Sequence, residues 1–183
     1  MNSFYTSTEA ADITKCSRRQ LQHWRDIGMV EPIVNPSGKG RNVYYSPSDL
    51  LALVVMEHLL SMGLCFDLCA FVLKYLKKNE VWFFDDFSEH SYRSKRKHWI
   101  VLLDRHNKIG YRVIDLDPDW EKDGIKSSYD QFLGEFIGLN YFGREDSTSC
   151  CGVVGLWSDL LCADLQKRLN DYEKGYQTTR WNG

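Results

Sequence analysis

Read as hydrophobic and polar positions, the first 78 residues divide into four helical runs and one extended stretch. The first run opens on Thr6 with Glu9 three residues later, the spacing of a capping box in which hydroxyl and carboxylate satisfy each other's backbone amides. Tyr5 precedes the cap, and Ala10 and Ile13 form the inner side of a short helix. Thr14-Lys15-Cys16 then makes a three-residue turn, and Ser17 with Gln20 sets a second capping box. At 100° per residue, Leu21 and Trp24 fall together on the core side of this second helix. Arg18, Arg19, Gln22, His23 and Asp26 share an opposite arc of roughly 140°. Gly28 is placed to end the helix in a left-handed conformation.

The extended stretch follows. Ile33-Val34 and Asn42–Tyr45 have strand character, and residues 35–40 (Asn-Pro-Ser-Gly-Lys-Gly) are dense in turn formers. The pattern predicts a β-hairpin with Lys39 and Arg41 near its tip. Ser46, Pro47 and Asp49 then supply a cap, a proline at the first helical position and an acid in the first turn. The third run, Leu50 to Leu60, is strongly apolar as far as Gly63, and the fourth, Phe66–Lys78, has Leu68, Val72, Tyr75 and Leu76 as its inner stripe.

Two short helices joined by three residues, a basic hairpin and two covering helices make a winged helix-turn-helix. The donors on the second helix suit phosphate oxygens and purine edges, and a basic hairpin tip suits the sugar-phosphate backbone.

The motifs occur in the order of a known family. YTSTEAADITKCSRRQLQHWRDIGMVEP and GKGRNVYYSPSDLLALVVMEHLLSMGL resemble the N-terminal domain of MerR-family regulators over about residues 4–78. By that resemblance Arg19 corresponds to the recognition-helix arginine and His23 to a DNA-contacting tyrosine. Trp24 matches an inward aromatic, Arg41 a wing arginine, and Tyr45, Ser46 and Asp49 a Tyr-Ser-x-x-Asp helix start. Gln20, Gln22 and Arg25 depart from the commoner Thr, Arg and acid, which bears on the DNA sequence recognised. The DNA-binding set expected from residues and resemblance together is Ser17, Arg18, Arg19, Gln22, His23, Lys39, Arg41 and Tyr45.

Beyond residue 78 the resemblance ends. Relatives usually continue into a long dimer-forming helix, whereas Val81–Phe87 is aromatic and unperiodic and residues 88–97 are polar and basic. Trp99–Leu103 and Tyr111–Leu116 read as strands joined by a turn, and Ser128–Ile137 as a helix with Phe132 and Phe136 inward. In the C-terminal stretch Val154, Trp157, Leu161, Leu165, Leu169 and Tyr172 form a helical stripe, with Gly175 expected to stop it. The chain is thus expected to be mostly α with some β. Residues 1–78 form a winged helix-turn-helix, 79–146 a small α+β middle region, and 147–183 a C-terminal helix serving dimerisation.

Composition changes this picture little. With 43% hydrophobic and 26% charged residues the chain reads as globular and soluble, without a membrane span or secretory signal, and cytoplasmic by default. Nine Lys/Arg against seven Asp/Glu in residues 1–78, and 14 against 18 in the remainder, put a mildly basic head on an acidic tail. Six cysteines show no CxxC spacing, and five histidines show no H-x-x-x-H pair. Cys65 and Cys69 share a helix face four apart, but Cys69 sits in a core-rich segment, where core packing is the expected role. Adjacent Cys150 and Cys151 suit a soft metal by ligand type, as in sensing MerR relatives, but vicinal thiolates fit one ion poorly and no second cluster flanks them. No metal, cofactor or catalytic constellation is expected, and the chain reads as a non-enzyme.

The functional expectation is a sequence-specific regulator that binds double-stranded DNA as a homodimer on a two-fold promoter site. By resemblance it would distort the promoter so that RNA polymerase meets aligned elements. The middle region would serve an effector or partner. A rival reading is an architectural DNA-binding protein of a mobile element, such as an excisionase or a terminase small subunit. Those share the winged fold but are usually shorter and lack an extended C-terminal region.

Overall fold

The structure is a computed structural model describing residues 4–32, 34, 42–85, 98–104, 111–116 and 150–181. Lys39, Arg41 and the expected helix Ser128–Ile137 lie outside the described residues.

In the first unit, the capped helices form where the side-chain pattern puts them. Strand β1 (Tyr5–Thr6) runs into helix α1 (Ser7–Thr14), and Thr6 and Glu9 close the capping box: the Thr6 amide donates to Glu9 Oε2 at 2.7 Å. Helix α2 (Arg18–Asp26) opens on a second box, with the Ser17 amide donating to Gln20 Oε1 at 2.8 Å. It ends at Gly28 (φ 67°), whose amide donates to the Arg25 carbonyl while that of Met29 donates to Trp24. This 6→1 and 5→2 pairing consumes carbonyls the helix end would otherwise leave open. Strand β2 (Tyr44–Tyr45) pairs antiparallel with β1 on one side and bridges Val34 on the other, so the base of the expected hairpin is in place.

Helix α3 (Pro47–Ser61) starts on Ser46 and Asp49, joined by a third capping box, with the proline at its first position. Its residues Leu50 to Met56 are all buried, which makes it the central helix of the unit. Helix α4 (Phe66–Asn79) covers it with Leu68, Cys69, Val72, Leu73 and Leu76. The short helix α5 (Val81–Asp85) turns the aromatic stretch inward, burying Phe83 and Phe84 against α3 and α4.

In the second compact unit, residues 93–159, the described residues form an antiparallel sheet in the order β4-β3-β5. Strands β3 (His98–Asp104) and β4 (Tyr111–Leu116) match the two expected strands, and β5 (Cys150–Trp157) pairs with β3 from the other side.

Strand β5 corrects the reading of the C-terminal stretch. The expected helix from Val154 instead begins at Ser158, as α6 (Ser158–Trp181), because Gly152-Val153-Val154-Gly155 is weak helix former and good strand former. Helix α6 also continues through Gly175, since one exposed glycine costs a helix only about 1 kcal/mol.

The first unit runs to residue 92 and takes in residues 160–183, so nearly all of α6 belongs with the helix-turn-helix. Leu161, Cys162, Leu165 and Leu169 are buried there. Tyr172 donates to Glu9 at 3.3 Å and Arg168 to the Thr14 carbonyl at 2.7 Å, which sets α6 antiparallel to α1. Leu161, Leu165 and Leu169 of the expected stripe are therefore buried within this unit, while Trp157 is exposed.

Candidate nucleic-acid interface

Helix α2 is amphipathic in the phase read from its sequence. Leu21 and Trp24 are buried, while Ser17, Arg18, Arg19, Gln22, His23 and Asp26 are exposed. The first turn of α2 holds two arginines and no acid. Cations at a helix N-terminus oppose the macrodipole by about 0.3–1 kcal/mol each, so their placement is unfavourable for the isolated helix. An external anion removes that penalty.

His23 is exposed but not unsupported. Its ring lies 5.8 Å from that of Phe66 at the start of α4, which steadies the C-terminal half of α2. The body of the helix is anchored by Trp24 and by the Gly28 cap. Lys77 of α4 reaches the next segment, donating to the Met29 carbonyl at 3.0 Å.

Arg18, Arg19 and Gln22 also line a cleft of about 340 Å³, together with Ser7, Leu21, Arg25 and Tyr45. Three guanidinium groups therefore border one concave surface between the first turn of α1 and the outer face of α2. Tyr45 is fully buried, and its hydroxyl lies against Ser7 and Arg25, its polar neighbours. Burial raises its pKa above the usual phenol value, and the Arg25 cation pulls against that rise. Arg25 Nε is buried without a hydrogen-bond partner among the described residues, although another guanidinium nitrogen lies 3.6 Å from Asp26. Three guanidinium groups around one open cleft suit an anion, which a guanidinium fork binds by charge-assisted hydrogen bonds.

The structure thus brings Arg18, Arg19, Gln22 and Tyr45 to one cleft, with Ser17 and His23 exposed elsewhere on α2. Tyr45 stands apart from the others, as a buried wall. Arg25 was not among the expected residues. The available signal was its replacement of the acid usual at that place in the family pattern, combined with its position at the edge of the polar arc.

Among the described residues, no group of three or more His, Cys, Asp or Glu could hold a metal ion. Cys16, Cys69 and Cys162 are buried, whereas Cys65, at the cap position before α4, is exposed. Burial pushes the Cys16 and Cys69 thiols up to about 11, the behaviour of core cysteines and not of reactive thiolates. No helix among the described residues is long and apolar enough to cross a membrane.

A short helix presenting cations behind a three-residue turn, with a β-bridge following and two helices covering it, defines a helix-turn-helix DNA-binding domain. Residues 5–76 match the family described as MerR HTH family regulatory protein, so this segment is similar to that family's helix-turn-helix domain. No curated protein matches the chain.

Proposed function

We propose that the protein is a transcriptional regulator that reads double-stranded DNA with the exposed face of α2, acting as two copies on a two-fold promoter site. The observation that carries this reading is the cationic first turn of α2, where Arg18 and Arg19 stand exposed against the helix dipole beside an open cleft. In this reading the cleft seats one backbone phosphate among Arg18, Arg19 and Arg25. Gln22 and His23 face base edges, and Lys39 and Arg41 reach the backbone from the hairpin. Ser17 and Tyr45 act indirectly, the first by capping α2 and the second as the wall behind the phosphate.

A single nine-residue recognition helix covers few base pairs, so two-fold symmetry is the usual route to specific affinity. Distortion of the promoter, contact with RNA polymerase and an effector-binding role for the second unit belong to the same proposal, as do a cytoplasmic location and the absence of catalysis.

Footprinting the protein on DNA upstream of its own coding sequence tests the reading. Protection of two half-sites about one helical turn apart, or a multiple of it, is the expected result. Arg19→Ala is expected to weaken binding to all duplexes alike and to reduce the salt slope by about one unit. Unchanged affinity and slope for both Arg19→Ala and Arg18→Ala would remove α2 from the interface.

A further inference from the structure

Helix α1 ends badly on its own. Its last turn contains no basic residue, and its C-cap, Lys15, adopts a left-handed conformation (φ 65°) without being glycine. Such a terminus leaves carbonyls and a partial negative charge in need of a partner. The partner comes from 154 residues further along the chain: Arg168 Nη1 donates to the Thr14 carbonyl at 2.7 Å.

The same guanidinium reaches two other elements. Its Nη2 lies 3.2 Å from Glu57 Oε2 on α3 and 2.7 Å from Asp164 Oδ2 on α6. Burial works against this cation, but the hydrogen bonds and charges of Asp164 and Glu57 outweigh it and keep Arg168 protonated. One planar fork therefore ties the end of α1 to α3 and α6. Thr14 and Cys16 beneath it are buried as well. Thr14 Oγ1 donates to the Ala10 carbonyl at 2.7 Å, and Cys16 packs with its thiol toward the Leu53 carbonyl. At the other end of α1, Tyr172 bonds the Glu9 carboxylate that closes the capping box.

We propose that Arg168 is a positioning residue for DNA binding: by fixing the end of α1 it sets the direction in which the turn Lys15–Ser17 delivers the recognition helix. The proposal rests on the DNA-binding reading of α2. Arg168 itself contacts no DNA in this scheme. Its effect is on specific binding, where α2 must enter the groove at one angle, and not on general attraction to phosphate, which depends on the exposed cations alone.

The test uses the full-length chain, a duplex that it selects from a random pool, and sheared heterologous DNA. Arg168→Met is expected to lower affinity for the selected duplex about tenfold while leaving heterologous binding and the salt slope unchanged. Arg168→Lys is expected to recover part of the loss, since a lysine keeps the charge near the α1 carbonyls but cannot fork to Glu57. Glu57→Gln removes only the α3 leg, is expected to give a smaller loss of the same kind, and serves if Arg168→Met fails to fold. Wild-type specific affinity in a folded Arg168→Met variant overturns the proposal. So does an equal loss on both DNAs with the slope reduced by about one, which would make Arg168 a phosphate contact. If the wild-type chain selects no duplex, the DNA reading itself fails. Positioning is then read from hydrogen exchange at the Leu21 amide, which donates to Ser17 in the first turn of α2. Faster exchange in Arg168→Met supports it, and unchanged exchange overturns it.

Discussion

Helices α2 and α6 both carry arginines, and they use them in opposite ways. On α2, Arg18 and Arg19 stand in solvent at the end of the helix where a cation is least welcome. On α6, Arg168 is turned inward, about 20% exposed, with a carbonyl and two carboxylates around it. The exposed pair is electrostatically unsatisfied and fits an external anion. The inward one is satisfied and fits a joint. Residue type alone does not separate these roles. The number of partners within reach does, and that is a property of the packed unit.

The comparison can be broken first at the anchor of α2. Trp24 is fully buried, and Trp24→Ala is expected to destabilise the first unit by roughly 3–5 kcal/mol. A thermal melt that hardly moves would mean that α2 is not held in the phase that exposes its arginines. On the α6 side, Leu165 is fully buried, and Leu165→Ala is expected to cost about 2–5 kcal/mol in the same melt. That loss should be independent of protein concentration, because Leu165 is buried within the chain. A loss that shrinks as concentration rises would place the stripe at a subunit seam instead.

The turn between the helices offers a probe through pH. Cys16 is protonated in the folded chain up to about 11, whereas an unfolded thiol ionises near 9. A raised folded pKa means that its contribution is complete below the unfolded value and disappears as pH climbs from about 9 to about 11. Stability of the wild type is therefore expected to fall across that window. In Cys16→Ala the fall should be shallower when unfolding is followed by denaturant titration at successive pH values. An identical slope in the two proteins would mean the thiol is not buried against Leu53.

Smaller effects sharpen the contrast between the two helices. Ser17→Ala removes the cap of α2 and is expected to cost about 1 kcal/mol. Gly175 lies inside α6 with nothing within 4 Å of the position a methyl group would take. Gly175→Ala is accordingly expected to stabilise α6 by about 0.5–1 kcal/mol, visible as a rise in melting temperature. A destabilising outcome there would argue that α6 breaks at Gly175, as its sequence alone suggests.

Much of the first unit was determined locally. Thr6 with Glu9, Ser17 with Gln20, and Ser46 with Asp49 each form a cap from residues three apart, so no distant contact has to be known to place those helix starts. Gly28 and Gly63 mark the helix ends for the same reason, because only the local backbone demands a positive φ. The outward arc of Arg18, Arg19, Gln22 and His23 follows from helical period once Leu21 and Trp24 point inward. What lies beyond i to i+4 reach was decided by the tertiary structure. Strand β5 takes Val154 and Trp157 out of the helical stripe because β3 offers it a pairing edge, which periodicity cannot detect. Tyr45 stands in the expected DNA-binding set yet is buried, since β1 pairs across β2 and closes over it. Arg168 reads as one more polar residue on a long helix. Its role exists only because folding brings α6 alongside α1 and sets its guanidinium against the Thr14 carbonyl and Glu57.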